Sequence, residues 1–116
     1  MIIAFADDQT VLVFSDLASV RTECEAIDVE QGTYRFFDEL GRSLVPCWIT
    51  PVSTTSMPFG IKLVGGGQFE LVVDPEDDCD FETSLTNAVA IEPNKLFATI
   101  PDLANYVAAN RARNDG

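Results

Sequence analysis

Short β-rich runs, each closed by turn-forming residues, are the feature that most constrains how this chain can fold. Residues 2–5 and 10–14 form one pair of such runs, with a polar turn between them. Residues 34–37 and 44–49 form a second pair, and Gly41 between them supplies the positive φ of a hairpin loop. Each pair predicts a β-hairpin.

Three consecutive glycines predict a third hairpin. Gly65-Gly66-Gly67 lies between the apolar runs 61–64 and 68–73, whereas residues 50–60 are rich in proline, serine and threonine. We expect the glycines to form a tight turn and residues 50–60 to form a long loop. The glycines lack the spacing and the basic residue of a phosphate-binding loop, which favours the hairpin interpretation.

Apolar residues at helical spacing predict a helix near each end of the chain. The first is expected over residues 16–26, with Ser15 as its N-cap. The last begins at the capping-box pattern of residues 99–102, and the polar tail from 110 to 116 is expected to fray. A weaker helical pattern covers residues 82–90.

The mixture of hairpins and helices predicts the fold class. Because strands and helices do not alternate as regular βαβ units, we expect an α+β fold. Its sheet is mainly antiparallel and built from hairpins, with an N-terminal helix and a C-terminal helix packed on it. A length of 116 residues without a linker-like segment predicts one domain over residues 1–116.

The charge balance argues against two classes of partner. Seven basic and nineteen acidic residues, with no histidine, give a formal net charge of −12. Nucleic acid and anionic membranes both require a cationic protein surface, so we expect neither as a partner. The apolar N-terminal run is too short for a signal peptide and meets Asp7 and Asp8 at once. These features predict a cytoplasmic protein.

No residue pattern points to catalysis or to a bound metal. Without histidine, neither a Ser-His-Asp triad nor a Cys-His pair can form. Cys24, Cys47 and Cys79 are widely spaced and do not make a zinc ligand set. We expect free thiols, with Cys24 and Cys47 buried and Cys79 more accessible. The prediction is a protein that is not an enzyme and holds no cofactor or metal; a small carboxylate-based enzyme or ligand-binding module is one alternative.

The most acidic stretch is residues 74–82, the acidic segment, with six carboxylates in nine residues. It does not match a calcium-binding EF-hand loop, because Cys79 occupies the glycine position and Leu85 the position of the bidentate glutamate. Two interpretations stay open, a solvated loop and a docking surface for a cationic protein. If the segment is extended, alternate acids share one side and Phe81 anchors the other.

The candidate partner-binding residues are all carboxylates. Those of the acidic segment are Asp74, Glu76, Asp77, Asp78, Asp80 and Glu82, and a second patch at a hairpin tip consists of Asp38 and Glu39.

Residues 33–46 carry a family resemblance. Their sequence is Thr-Tyr-Arg-Phe-Phe-Asp-Glu-Leu-Gly-Arg-Ser-Leu-Val-Pro. With the helix from Ser15 and the helix start at residues 97–103, they resemble the small immunity proteins of bacterial toxin systems, particularly those of contact-dependent growth inhibition. The likeness lies in an aromatic strand, an acidic turn containing glycine, and a return strand ending in proline.

The resemblance implies a non-catalytic protein that binds a co-produced toxin domain, often a nuclease, and occludes its active site. Because a nuclease is cationic where it meets its substrate, carboxylates of the inhibitor would take the place of phosphates. Charge complementarity would also steer the encounter. The alternative is an acidic, nucleic-acid-mimicking inhibitor of a DNA- or RNA-binding protein.

Overall fold

The computed structural model contains six strands and four helices in the part of the chain that it describes. That part covers residues 1–24, 26–56, 62–74 and 81–115, without the side chains of residues 26, 27, 51–56, 62–67, 114 and 115. The strands are β1 (Ile2–Ala6), β2 (Thr10–Phe14), β3 (Tyr34–Asp38), β4 (Ser43–Ser56), β5 (Lys62–Val73) and β6 (Ala90–Ile91). The helices are α1 (Leu17–Glu23), α2 (Ala26–Glu30), α3 (Phe81–Asn87) and α4 (Ile100–Asp115).

The described strands form one sheet in the order β5-β4-β3-β1-β2-β6. Neighbouring strands run antiparallel, except that β2 and β6 are parallel. The predicted α+β fold with a mainly antiparallel sheet and helices toward both ends of the chain is therefore confirmed.

Helices cover the sheet on both faces, so β1 at its centre is buried on both sides. Consecutive side chains of a strand point to opposite faces. Ala4 accordingly packs in one core with Val20 of α1, while Ile3 packs in the other with Phe81 of α3 and Leu103 of α4. This arrangement explains why β1 is an uninterrupted apolar run.

An aromatic cluster fixes the start of α3 in the second core. The rings of Phe5, Phe37 and Phe81 meet edge to face, with centroids 5.4 to 5.7 Å apart. Such pairs contribute about 0.5–1.5 kcal/mol beyond the burial of their area. Phe81 is therefore buried at the C-terminal flank of the acidic segment, whereas the expected extended course of residues 75–80 lies outside the described residues.

The first two predicted hairpins are confirmed, and the third is wrong. β1 pairs with β2 and β3 with β4, and Gly41 between the latter has a φ of 76°. The glycines instead lie within β5, where Gly65 and Gly66 pair with residues 53 and 52 of β4. The predicted loop of residues 50–60 is strand as far as Ser56, and residues 57–60 lie outside the described part. Glycine is depleted in strands, so the glycine run predicts a turn, and its pairing with the preceding strand β4 overrides that local preference.

The first helix is shorter than expected and begins one residue later. Its N-cap is Asp16 rather than Ser15, because the carboxylate of Asp16 accepts a hydrogen bond from the amide of Ser19 at 2.8 Å. This bond lowers the pKa of Asp16. The last helical residue is Glu23. Its C-cap, Cys24, has an extended backbone, and α2 follows as a separate helix.

The C-terminal helix is longer than expected. The hydroxyl of Thr99 accepts a hydrogen bond from the amide of Asp102 at 3.3 Å, in line with the predicted capping pattern. The tail was expected to fray from residue 110, but α4 continues to Asp115. The reason is tertiary, because Asn110 and Arg111 bind a distant loop that is described below.

The cysteines are partly as predicted. Cys24 is buried and burial raises the pKa of its thiol to about 11. Cys47 is exposed, which contradicts the prediction, because it neighbours Trp48 on β4 and the Trp48 ring is the one that packs on Phe69. Cys79 lies outside the described residues. In the described residues, no helix has both the length and the apolar character needed to cross a membrane.

Candidate functional site

The loop between β3 and β4 is shaped by Asp38. Its carboxylate accepts hydrogen bonds from the amides of Leu40 and Arg42, both at 2.9 Å, and from Nε of Arg42 at 2.6 Å. The side chain of Asp38 is 15% exposed, whereas that of Arg42 is 57% exposed. Aspartate favours such turns because its oxygens reach the amides that follow it. The charge of Asp38 is thus committed to its own loop.

The end of α4 holds this loop in place. Nε of Arg111 donates to the carbonyl oxygen of Leu40 at 2.7 Å, and Nδ2 of Asn110 donates to that of Glu39 at 3.1 Å. The guanidinium of Arg111 also pairs with the carboxylate of Glu82 on α3. These contacts join the loop, α3 and α4, and we call this group of contacts the clamp.

Gly41 is required at its position for two reasons. Its φ of 76° is a conformation that other residues rarely adopt. A Cβ atom there would also lie 2.3 Å from Nη2 of Arg111. The close approach of the Arg111 side chain therefore depends on glycine.

The fold gathers the described candidate residues at one end of the sheet. β3 ends there with Asp38, and β5 ends there because the amide of Asp74 donates to the carbonyl oxygen of Ser43 at 3.0 Å. The clamp brings Glu39 and Glu82 to the same end. We call this region, with its arginines Arg42, Arg111 and Arg113, the clamped end.

The remaining acids of the predicted site are not described. Glu76, Asp77, Asp78 and Asp80 lie outside the described residues, although the flanking Asp74 and Phe81 belong to the clamped end. The expected stripe of alternate carboxylates does not extend to Glu82. α3 begins at Phe81, so Glu82 is helical, because the buried ring of Phe81 fixes the first turn.

Several arginines bind oxygen atoms of the protein itself. Nε and Nη2 of Arg21 donate to the carbonyl oxygen of Phe69 at 3.0 and 2.6 Å. Arg113 donates to the side chain of Asn110. Because these oxygen atoms are uncharged, the bonds of Arg21 and Arg113 to them neutralise no carboxylate. Exposed carboxylates elsewhere on the surface include Asp7, Asp8, Glu23, Glu30, Glu70, Glu92 and Asp102.

A second acidic region was not anticipated from the sequence. An open groove of about 420 Å³ runs along the outer edge of β2, and we call it the edge groove. Glu23 of α1 and Glu92 after β6 both line it. Glu23 and Glu92 are far apart in sequence, and only Pro93, which ends strand pairing, marks the position locally.

The described residues do not form a metal site. Among the residues with described positions, no group of three or more Cys, Asp and Glu side chains is arranged to hold a metal ion. Comparison with protein-family models, curated proteins and solved structures finds no match for this chain.

Proposed function

We propose that this chain is a cytoplasmic immunity-type protein that binds a basic toxin domain, a nuclease in the leading version, and occludes its active site. The observation that carries the proposal is the surplus of carboxylates. The net charge is −12, and Arg21 and Arg113 bind neutral oxygens of the protein. The role requires binding alone and no catalytic residue.

Electrostatics supports this type of partner over others. A strongly acidic surface attracts a basic domain over a distance and raises its association rate. Once docked, carboxylates accept hydrogen bonds from lysine and arginine side chains that otherwise bind phosphate. A nuclease has such side chains at its active site, so a protein that binds them blocks its activity directly.

The acidic segment is the proposed contact, because both of its described flanks are held firmly. Asp74 is tied to Ser43 through its backbone, and Phe81 is buried against two other rings. A segment that is held at both ends loses less conformational entropy on binding than a free tail does. At the same end, exposed Glu39 is the contact of the second proposed patch, and Asp38 shapes the loop that carries it.

The test requires a reading frame for a basic domain directly beside this one, and that domain is then produced with and without this protein. We expect that domain to be toxic alone and harmless when this protein is co-produced, and the two to co-purify. Replacing Asp77, Asp78 and Asp80 by Asn should weaken binding at least tens-fold, since a lost buried charge pair typically costs about 2–5 kcal/mol.

The matched control removes three charges elsewhere. Asp7→Asn, Glu30→Gln and Glu70→Gln change exposed residues outside the acidic segment and remove the same amount of negative charge. We expect this variant to bind almost as well as the wild type and to protect cells. Equal losses in the two variants would mean that the acidic segment makes no specific contact, and absence of protection by the wild type would refute the proposed function.

A further inference from the structure

The outer edge of β2 is only partly covered. β6 pairs with Thr10 and Val11, and the last bond runs from the amide of Glu92 to the carbonyl oxygen of Val11 at 2.8 Å. Pro93 follows and lines the groove without pairing with β2. In the described chain, no strand pairs with β2 on this side beyond Val11.

Val13 therefore presents its backbone at an open edge. Backbone groups on one side of a strand belong to alternate residues. The carbonyl oxygens of Gln9 and Val11 both accept bonds on the side of β6, so the amide and carbonyl of Val13 face the same way. An open strand edge of this kind is a template for a further strand.

The edge groove lies along this open edge and has fixed walls. Its floor is formed by residues 12–14, and its sides by Ser19 and Glu23 of α1 and by residues 92–94. Oδ1 of Asn94 accepts hydrogen bonds from the amides of residues 96 and 97 at 2.8 and 2.7 Å, which hold the 92–94 wall. The groove is thus formed without a ligand.

The charge of the groove selects the occupant. Glu23 and Glu92 are exposed, and neither lysine nor arginine is among the groove-lining residues. A backbone edge is satisfied only by another backbone, and two carboxylates favour cationic side chains on it. Because a strand advances about 3.3 Å per residue, the open edge of residues 12–14 accepts about three residues of partner strand.

We propose that the edge groove binds an extended, lysine- or arginine-bearing segment of the basic partner, which adds to β2 as a strand at Val13. Backbone hydrogen bonds to Val13 hold the segment, and its cationic side chains contact Glu23 and Glu92. The inference rests on the proposed function for its partner, because it names how a second part of the same basic protein is held.

The experiment uses the full chain and two blocked peptides of about seven residues, which span the open edge with residues to spare. In one peptide lysine alternates with valine, and in the other lysine alternates with proline. The charge is the same, but proline removes every second amide donor and fixes φ at about −65°, so this peptide adopts a polyproline helix and not a strand. Nuclear magnetic resonance follows binding and the hydrogen exchange rate of the Val13 amide.

We expect the lysine–valine peptide to bind and to slow exchange at Val13, and the lysine–proline peptide to leave that exchange rate unchanged. Glu23→Gln and Glu92→Gln should each weaken binding about two- to fivefold, as is typical of exposed ion pairs. Glu30→Gln, which removes an exposed charge from α2, should leave the affinity unchanged.

Three results would overturn the inference: no binding, equal effects of the two peptides on Val13, or equal losses in the three glutamate variants. Such a failure is distinguishable from failure of the proposed function. If the basic toxin domain still binds and is neutralised, only the role of the edge groove is refuted; if it does not bind, the proposed function itself is refuted.

Discussion

The clamped end and the edge groove both contain carboxylates, but only one of them also contains cations. At the clamped end Arg42 pairs with Asp38, and Arg111 pairs with Glu82. No basic residue is among those that line the edge groove. Carboxylates paired with a cation of the same chain stabilise the fold, whereas under the proposed function the carboxylates that lack such a cation are available to a partner.

The comparison also separates charged groups that stabilise the fold from carboxylates whose removal leaves the fold intact. The clamp joins α4 to the β3–β4 loop through bonds to backbone oxygens and to α3 through the ion pair of Arg111 with Glu82, so Arg111 contributes to stability. The groove carboxylates have no such task, so their removal should affect binding and leave folding unchanged. Substitutions that act on one region alone can therefore break or sharpen this distinction.

The largest effect on stability is expected at Gly41. Gly32 and Gly41 have the same φ of 76°, but a Cβ atom at Gly32 would meet nothing within 4 Å. Gly32→Ala should cost about 1–2 kcal/mol from backbone strain alone. Gly41→Ala should cost about 1 kcal/mol more, because the flexible end of Arg111 must move away from its bond to Leu40. Chemical denaturation measures both, and equal losses would contradict the clamp.

A smaller effect is expected when the clamp arginine is removed. Arg111→Met keeps the apolar stem but loses the guanidinium, and should lower the free energy of unfolding by about 1–2 kcal/mol. Lys95→Met, which removes an exposed cation outside the clamp, is the control and should cost less than about 0.5 kcal/mol.

Arg111→Met also tests whether the clamped end and the edge groove act independently. No residue of the clamp lines the edge groove, so Arg111→Met should bind the lysine–valine peptide with unchanged affinity. A parallel loss of stability and of peptide affinity would show that the regions are not independent.

The smallest effect concerns the cysteines and pH. Burial raises the pKa of Cys24 from 9.0 to about 11, so the folded state favours the neutral thiol. The stability due to this group is complete below pH 9 and is lost as the pH rises toward about 11. Cys24→Ala should cost about 1 kcal/mol at neutral pH and show a shallower decline above pH 9.

Thiol labelling of the native protein checks the same assignment. Exposed Cys47 should react rapidly and buried Cys24 slowly, as measured by mass spectrometry of labelled peptides. Rapid labelling of Cys24, or identical pH profiles for wild type and Cys24→Ala, would contradict its buried and neutral state.

Features that depend on neighbouring residues were predictable from the sequence. The β1–β2 and β3–β4 hairpins follow from short β-rich runs closed by turn residues, and Gly41 follows from the positive φ of its loop. The capping pattern at Thr99 is likewise local. These signals act over a few residues, so no knowledge of the fold is needed to interpret them.

Features that depend on distant residues were missed. The three glycines lie within β5 because β4 continues beside them, and β6 is only two residues long and exists through its pairing with β2. Asn110 and Arg111 resembled a polar tail, but their partners lie about seventy residues earlier. For the same reason the sequence indicated an acidic segment but did not show that Glu23 and Glu92 line the same groove.

The central claim is that exposed carboxylates steer a basic partner to this protein. The most direct test is the association rate with the basic toxin domain as a function of ionic strength. We expect the rate to fall steeply as the salt concentration approaches about 0.1 M, where the Debye length is about 10 Å, while the dissociation rate changes much less. An association rate that does not depend on salt would contradict the claim.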